Sequence, residues 1–269
     1  VGLSGAAELA RAGSDIVLVA RDEKKAAAVA ADLSAKFGVS TRFYIADFTD
    51  LDQVKAAAER IARELERIDI LINSAGIHST RKILTPGGFE LAFCVNHLAP
   101  FILTHRLIPR LKERPEGRII QVNSQGHRFN GLNLNDLDWK KRPYTGLRGY
   151  GASKTAQLLT VWEFAERLKG TDVTINAMHP GAVKSGIGNN NGPLYRWYKS
   201  RFLWKSLKDP VISGESLLFL AADPSLKGIT GTYFNMTFPE KPAPHALDRE
   251  AGKLIWEKTM EMTGLSDEI

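Results

Sequence analysis

Short apolar runs alternate with longer amphipathic stretches along most of this chain. The apolar runs predict strands, because short continuous apolar segments are typical of strands buried on both faces. The predicted strands cover residues 16–20, 42–46, 68–72, 118–122, 173–177 and 232–236. Strands that alternate with helices favour parallel βαβ units with right-handed crossovers. The pattern therefore predicts an α/β fold, a doubly wound parallel sheet with helices on both faces.

The segments between these strands carry helical patterns and cap signals. Thr49 is predicted as an N-cap, with Asp52 three residues later in a capping-box arrangement. Thr85 and Pro86 match the cap and first-turn pair of a long helix that runs to about Arg114. The other predicted helices cover residues 22–36, 150–168 and 213–222, and a last helix follows an extended, proline-rich connection at 238–246.

No change in composition marks a domain boundary, so the 269 residues are predicted to form a single domain over residues 1–269. Two stretches, residues 125–147 and 183–212, are long for loops in a compact domain and are expected to be functional or partly helical. The second stretch contains Tyr195, Trp197, Tyr198, Phe202 and Trp204. These aromatics favour an apolar substrate lid over residues 183–212, although packing on the body or a subunit contact would also explain them.

Composition and charge argue against several classes of function. The net charge is +6, and the basic residues are spread along the chain, which favours a solvated surface over a nucleic-acid interface. No run of about 18 apolar residues is present, so we predict no membrane span and expect a cytoplasmic location. Cys94 is the only cysteine, which excludes an intrachain disulfide, and its apolar helical context predicts a packed side chain. The six histidines show no zinc-binding spacing, so no metal site is expected.

The run from Tyr150 to Lys154 places a phenol and an ammonium four residues apart on a predicted helix. Residues at this spacing share one helix face. A nearby ammonium favours phenolate and lowers the pKa of a tyrosine from its ordinary value of about 10. A tyrosine tuned in this way can exchange a proton with a carbonyl or alcohol oxygen. Alone, the pattern also fits a surface tyrosine packed along a lysine stem.

Polar and small residues follow three predicted strands. Ser124 follows the strand at 118–122, residues 73–76 follow the strand at 68–72, and residues 179–185 follow the strand at 173–177. This edge of a doubly wound sheet binds ligands, so Ser124 could polarise a substrate carbonyl and the small residues could let a ligand approach the backbone. Each feature alone also fits an ordinary turn.

The start of the chain carries features expected of a dinucleotide site. Gly2 and Gly5 at a helix N-terminus fit pyrophosphate binding. Arg21 ends the strand at 16–20, where the adenosine ribose is normally bound, and an arginine there suits a 2′-phosphate. A solvated Arg21 beside Asp22 is the alternative. All these features fall at one edge of the predicted sheet, or on the helix beside it, which chance alone does not readily produce.

As a set, residues 73–76 (NSAG), Asn96, Ser124, residues 150–154 (YGASK) and residues 179–185 (HPGAVKS) resemble the short-chain dehydrogenase/reductase family. The resemblance covers about residues 1–240 in the expected order. It implies a Rossmann-type fold and an enzyme that moves a hydride between a nicotinamide cofactor and a small carbonyl or alcohol substrate. It also implies a homodimer or a homotetramer.

The resemblance further implies a role for each matching residue. Tyr150 is the general acid/base, Lys154 lowers its pKa and binds the nicotinamide ribose, Ser124 holds the substrate oxygen, and Asn96 completes a proton relay through water. Asp47 matches the aspartate that meets the adenine. With Arg21 added, the expected cofactor-binding residues are Gly2, Arg21, Asp47, Asn73, Ala75, Gly76, Tyr150, Lys154, Pro180, Gly181, Val183 and Ser185.

Two runs, residues 93–101 (FCVNHLAPF) and 123–127 (NSQGH), look more like the retinol-dehydrogenase-like branch of the family. That branch implies an NADP(H)-dependent oxidoreductase, with NADP(H) preferred over NAD(H), that interconverts a lipophilic aldehyde or ketone and its alcohol. We expect that the family's first strand and most of its glycine turn are missing before Val1, and a targeting or anchoring segment there stays open.

Two other functions remain open on the sequence alone. One is a non-catalytic dinucleotide-binding or regulatory protein on the same scaffold. The other is an epimerase or dehydratase related to the family. Such enzymes usually carry a larger C-terminal sugar-binding portion, and this chain has little room for one.

Overall fold

The computed structural model describes residues 1–184, 187–188, 191–192 and 207–266. Its strands are β1 (Ile16–Ala20), β2 (Thr41–Ile45), β3 (Ile70–Asn73), β4 (Gly117–Val122), β5 (Val173–His179), β6 (Tyr233–Asn235) and β7 (Phe238–Pro239). Its helices are α1 (Gly2–Arg11), α2 (Glu23–Phe37), α3 (Leu51–Glu64), α4 (Leu91–Phe93), α5 (Ala99–Lys112), α6 (Gly146–Arg167), α7 (Val211–Ala222) and α8 (Arg249–Thr263). Short 3-10 helices cover Gln125–Phe129, Pro224–Leu226 and Pro244–Leu247, and a π-helical segment, Cys94–Leu98, joins α4 to α5.

Parallel pairing dominates the sheet. Strands β3, β4, β5 and β6 form successive parallel pairs, and β1 pairs in parallel with β2. Only β7 joins antiparallel among the described strands, at the edge next to β6. Parallel neighbours need crossover connections, and helices supply most of them here. The predicted α/β fold class is therefore confirmed.

In the part of the chain that the structure describes, the sheet consists of two separate parts. One part contains β1 and β2, and the other runs β3-β4-β5-β6-β7. No described backbone pairs with the inner edges of β1 and β3. Apolar side chains of these strands consequently remain partly accessible: Val17 is 37% exposed, and Ile70 and Ile72 are half-buried.

Helices cover both faces of the sheet, as the alternation predicts. In β4, Ile119 packs into one hydrophobic cluster with α3, α5, α6 and α8, whereas Ile120 packs into a second cluster with α1, α2 and α7. In β6, Tyr233 and Phe234 are divided in the same way. Successive strand side chains point to opposite faces, so an apolar run in a strand fills both clusters at once.

Two predicted helix starts are wrong, and competing local hydrogen bonds explain both. Helix α3 is capped by Asp50, whose carboxylate accepts from the backbone of Asp52 and Gln53, while Thr49 bonds to Asp47. The helical run that ends at Lys112 begins at Leu91, where Glu90 supplies the cap. The predicted start at Thr85 and Pro86 is instead a turn, which continues into Gly88 at φ +81°.

Other boundaries differ by a few residues. Strand β3 covers Ile70–Asn73 and not residues 68–72, and α6 begins at Gly146, four residues before the predicted start. Thr145 caps α6 by accepting from the backbone N–H of Arg148. The stretch predicted as an extended connection, residues 238–246, contains β7 and a 3-10 turn.

The C-terminal helix α8 is an integral part of the core. The Trp256 ring lies 4.9 Å from Phe101 and 4.7 Å from Phe164, in steep edge-to-face contacts. Its Thr259 hydroxyl lies 2.8 Å from Nε2 of His97, which is fully buried in the π-helical segment. Aromatic packing and a buried hydrogen bond thus attach α8 to α5 and α6.

One helical stretch, residues 91–112, is long and apolar enough to span a membrane by length and composition alone. In its most apolar window, 89% of the residues are buried inside the protein. Core helices of globular proteins pass the same test, so this is weak evidence for a span. The predicted absence of a span stays a prediction.

Candidate active site

Ser124 and Tyr150 come together at the carboxyl edge of the sheet. Ser124 follows β4 directly, and Tyr150 lies early in α6. Both side chains lie around Gly126, where an added Cβ would be 3.3 Å from Oγ of Ser124 and 2.5 Å from Cε1 of Tyr150, and only 9% of Tyr150 is exposed. Two adjacent hydroxyls at the edge where such sheets bind ligands can hold and protonate the same substrate oxygen.

Gly126 leaves the room that the Tyr150 ring needs. A Cβ at position 126 would lie 2.5 Å from Cε1 of Tyr150 and 3.3 Å from Oγ of Ser124. The ring of His78 meets the Tyr150 ring edge-on, with centroids 5.7 Å apart and an angle of 77°. The tyrosine ring therefore has a bare backbone and an imidazole as close neighbours, which restrict its rotation.

Lys154 is buried one helical turn after Tyr150. Its Nζ donates to the Val122 carbonyl at 2.8 Å and to Oε1 of Gln157 at 3.2 Å. Burial lowers the pKa of Lys154 to about 7, because a desolvated ammonium is unfavourable. An ammonium carries three donors, so with two acceptors in place one donor remains for a ligand or for Tyr150.

The pKa of Tyr150 moves in the direction opposite to the sequence prediction. Burial of the phenol raises this pKa, and the nearby Ser124 side chain lowers it by a smaller amount. The Lys154 ammonium is turned toward the Val122 carbonyl and Gln157. The predicted lowering is wrong for this arrangement, because desolvation of the phenolate outweighs the favourable contacts.

Asn96, in the π-helical segment, braces the loop that follows β3. Its Oδ1 accepts from the Ile77 N–H at 2.7 Å, and its Nδ2 donates to the Ile77 carbonyl at 3.0 Å and to Ser153 Oγ at 2.9 Å. Ser153 donates in turn to the Tyr150 carbonyl at 2.7 Å. π-Helical turns are frequent at functional sites. Both polar atoms of the side chain are engaged, which favours the Asn96 backbone over its side chain as the partner in the predicted water relay.

A buried chain of hydrogen bonds connects Lys154 to β3. Gln157, which accepts from Lys154, donates to Oε1 of Gln121 at 3.1 Å. Gln121 donates to Thr104 Oγ1 at 2.9 Å, and Asn73 donates to the same oxygen at 2.9 Å. Bonded networks of this kind fix side-chain rotamers. The position of the Lys154 amino group therefore depends on four secondary-structure elements, β3, β4, α5 and α6.

The first turn of α1 and the loop after β3 outline a ligand cleft. A Cβ at Gly2 would lie 2.6 Å from Ser74 Oγ, so the N-terminus of α1 touches that loop. Ala75 and Gly76 are exposed, and a Cβ at Gly76 would lie 4.0 Å from Nζ of Lys154. The bare backbone of Gly76 keeps the space next to Lys154 open. A helix N-terminus, an open backbone and a lysine fit a dinucleotide.

Only some of the residues predicted to bind the adenosine part of the cofactor direct their side chains toward that site. Arg21 is exposed at the carboxyl end of β1, and Asp47 follows β2, so both lie at the expected edge. Asp47 Oδ1 accepts from the N–H and the hydroxyl of Thr49, both at 2.9 Å. The Asn73 side chain is directed into the core toward Thr104. Any contact of Asn73 with a cofactor would therefore come from its backbone.

The turn after β5 is tied to α7. The Pro180 carbonyl accepts from the Ser213 hydroxyl at 2.7 Å, and Gly181 adopts φ +82°, a conformation that favours glycine. Val183 is buried and bridges in parallel to Lys208. The other predicted residues of this region lie outside the described residues: Ser185 of the cofactor set, and Tyr195, Trp197, Tyr198, Phe202 and Trp204 of the lid.

Sequence reasoning missed several residues that build the site. Asn123 donates to the Lys154 carbonyl and to Gln157, each at 2.9 Å, and accepts from the Ser124 N–H at 2.8 Å. Gln157 could have been found, because it lies one turn after Lys154 on the same helix face. Gly126 could not, since a close approach between distant segments leaves no local pattern.

The family profile of short chain dehydrogenases matches residues 1–194. This chain therefore belongs to the short chain dehydrogenase family and is an oxidoreductase acting on CH–OH groups with a nicotinamide cofactor of the NAD(P) type.

Relatives and a solved structure agree with this assignment. Human retinol dehydrogenase 13 is 35% identical over 98% of this chain and 82% of that protein. Human retinol dehydrogenase 14 is 32% identical over 98% of this chain and 83% of that protein. The crystal structure of an uncharacterized protein from Mycobacterium paratuberculosis superimposes with a TM-score of 0.78 at 26% identity, covering 100% of this chain and 91% of that one.

Proposed function

We propose that this chain is an NADP(H)-dependent oxidoreductase that interconverts a lipophilic aldehyde or ketone and the matching alcohol. The observation that carries the proposal is the close approach of Ser124 and Tyr150 around Gly126, one helical turn from the buried Lys154. Two hydroxyls and an ammonium suit a reaction in which a carbonyl oxygen gains or loses a proton.

Ser124 and Tyr150 share the substrate oxygen in this mechanism. Oγ of Ser124 accepts from the Gly126 N–H at 3.0 Å, so the serine proton is available to the substrate oxygen. When bound, the nicotinamide supplies the hydride to the carbonyl carbon or accepts it from the alcohol. In reduction Tyr150 donates its proton to the oxygen, and in oxidation it takes the proton back. The serine donor stabilises the negative charge that develops on that oxygen.

Lys154 supports the phenolate that Tyr150 becomes during reduction. Its third donor can turn toward the phenol or toward hydroxyl groups of a bound ribose. The Gln157 and Val122 oxygens hold the amino group near the site in either case. Charge on Lys154 favours phenolate, so bringing the ammonium closer to Tyr150 would offset the raised pKa that burial imposes.

Arg21 and the named relatives support the finer assignments. An exposed guanidinium at the end of β1 suits the 2′-phosphate of NADP(H). NAD(H) has no phosphate at this position to pair with the guanidinium. The names of the two retinol dehydrogenases support a lipophilic alcohol or aldehyde as substrate.

Replacement of Tyr150 by Phe tests the proposal. We expect turnover of a lipophilic aldehyde with NADPH to fall by at least about 100-fold, because the proton donor is lost while the ring still packs. The dissociation constant for NADPH, measured by quenching of tryptophan fluorescence, should change by less than about threefold. Tyr44→Phe is the matched control, because Tyr44 is a buried tyrosine of β2 outside the site.

Retained turnover in the Tyr150→Phe protein would reject the acid/base role. Tight binding of NADPH by the unmodified chain with no turnover of any aldehyde or ketone would instead favour a non-catalytic dinucleotide-binding protein.

A further inference from the structure

His127 connects the carbonyl of Ser124 to the C-terminal part of the chain. The residue is fully buried in the 3-10 helix that follows Ser124. Its Nδ1 lies 2.7 Å from the Ser124 carbonyl oxygen, and its Nε2 lies 3.1 Å from the backbone nitrogen of Ala243. One imidazole ring thus spans the candidate catalytic serine and a segment more than a hundred residues away.

The partners of His127 determine its tautomer. The Ala243 backbone N–H can only donate, so Nε2 must carry the lone pair. The Ser124 carbonyl can only accept, so Nδ1 must carry the proton. Burial lowers the pKa of His127, and the neutral ring that results is the form these two bonds need.

The surroundings hold the ring in place. The ring meets Tyr233 edge-on at 5.1 Å. His245 Nε2 lies 2.8 Å from the His127 carbonyl oxygen. Glu240 accepts from Gln125 at 2.8 Å and is paired with Arg128. The segment after Ser124 is therefore attached to residues 240–245 at several points, and His127 is the one of these contacts that reaches Ser124 itself.

We propose that His127 is a positioning residue for Ser124: its Nδ1–H bond to the Ser124 carbonyl sets the backbone of the serine and hence the direction of its hydroxyl. This inference rests on the proposed role of Ser124 in the reaction. His127 does not contact the substrate oxygen; it acts through the serine. Transfer steps depend steeply on distance and angle, so a small rotation of Ser124 is expected to slow the reaction.

A matched pair of substitutions separates the two bonds of the ring. Asn places its amide nitrogen near the position of Nδ1, so His127→Asn keeps a donor to the Ser124 carbonyl and loses the Ala243 contact. Gln places its amide oxygen near the position of Nε2, so His127→Gln keeps the Ala243 contact and loses the side-chain bond to Ser124, which leaves the Ser124 carbonyl only the longer bond from the backbone N–H of residue 127 at 3.2 Å. We expect His127→Gln to lower kcat about tenfold, with the KM for NADPH unchanged. His127→Asn should keep kcat within about twofold of the unmodified protein while lowering the unfolding midpoint more.

A purely structural role gives a different pattern. In that case kcat would follow stability, and His127→Asn would be at least as impaired in turnover as His127→Gln. That result would overturn the proposal.

A double-substitution cycle shows whether His127 acts through Ser124. In a Ser124→Ala background the hydroxyl to be positioned is gone, so adding His127→Gln should change the residual kcat by less than about twofold. A further tenfold loss in that background would show that His127 acts elsewhere and would overturn the positioning role.

One readout does not depend on turnover. The ring nitrogen shifts of His127 in a 15N NMR spectrum of the unmodified protein report the tautomer directly. Protonation at Nδ1 is expected. Protonation at Nε2 would overturn the proposal even if the protein is active, and protonation at Nδ1 in a protein without turnover would refute the proposed function while leaving the Ser124 bond in place.

Discussion

Gly126 and the Tyr150 ring approach so closely that a methyl group does not fit between them. Gly126→Ala would place Cβ 2.5 Å from the ring and force either the ring or the 3-10 helix to move. We expect kcat to fall about tenfold or more and the free energy of unfolding to fall by about 1–3 kcal/mol, the usual cost of overpacking.

Gly131→Ala is the control for this substitution. Its Cβ would meet His245 no closer than 3.4 Å, an ordinary contact. Steady-state kinetics and urea unfolding on both proteins check the prediction. Equal, small effects at the two positions would show that the Tyr150 ring tolerates displacement.

Lys154 should make stability depend on pH. Its pKa is about 7 in the folded protein and returns to its ordinary value of 10.5 on unfolding. Between these values the unfolded chain binds one more proton, so folded stability rises with pH, by about 1.4 kcal/mol per pH unit. Below pH 7 the cost of burying the charge is fully present.

Lys154→Met removes this titration and serves as the reference. Urea unfolding of both proteins at pH 6, 7.5 and 9 should show the stability of the unmodified protein rising relative to Lys154→Met above pH 7. A constant difference across this range would contradict a buried lysine with a lowered pKa.

Individual site residues were predictable where a motif carries them. The locations of Ser124, Tyr150 and Lys154 were predicted from strand ends and helical spacing, and the structure places Ser124 and Tyr150 around Gly126. The direction of the Tyr150 pKa was not predictable, because burial and the turn of the Lys154 ammonium toward Val122 depend on tertiary packing. His127 was visible only as part of a resemblance, since its partner Ala243 is distant in the sequence.

Helix α8 illustrates how one element stabilises the helices that carry the site. Trp256 is 2% exposed and packs against Phe101 of α5 and Phe164 of α6. Trp256→Ala should cost about 3–5 kcal/mol of unfolding free energy, because a large cavity would open in the core.

Leu254→Ala on the same helix is the control, since Leu254 is 47% exposed. It should change the unfolding free energy by less than about 0.5 kcal/mol. Chemical denaturation followed by circular dichroism measures both. Similar losses for the two variants would mean that α8 does not depend on the aromatic cluster.

The type of each helix or strand was predicted more accurately than its boundaries. Among the described residues, the apolar runs located each of the parallel strands, because burial on both faces leaves a strong signal. The starts of the helices at Leu91 and Gly146 differ from the predictions because several nearby residues can serve as the N-cap. Which residue becomes the cap depends on the whole local hydrogen-bond pattern. The short antiparallel β7 was missed because two residues carry no periodicity.

In the molecule as a whole, two hydrophobic clusters lie on opposite faces of a divided sheet, and the polar residues of the candidate site lie at one edge of it. The fold class could be predicted from alternation alone. The division of the sheet between β1 and β3 could not be predicted from the periodicity of any segment, because the pattern along one strand does not indicate which strand pairs with it. The combination of motifs at a single edge indicated the family and its general oxidoreductase activity, which the family match then supported.

Direct hydride transfer is the central claim for the molecule as a whole. The most direct test incubates the purified protein with a lipophilic aldehyde such as retinaldehyde and with NADPH deuterated at C4, using each of the two C4 labels in turn. Mass spectrometry of the alcohol should find one deuterium on the former carbonyl carbon with one of the two labels, formed faster than with deuterated NADH. An alcohol without deuterium from either label, or bound NADPH with no alcohol formed, would contradict the account.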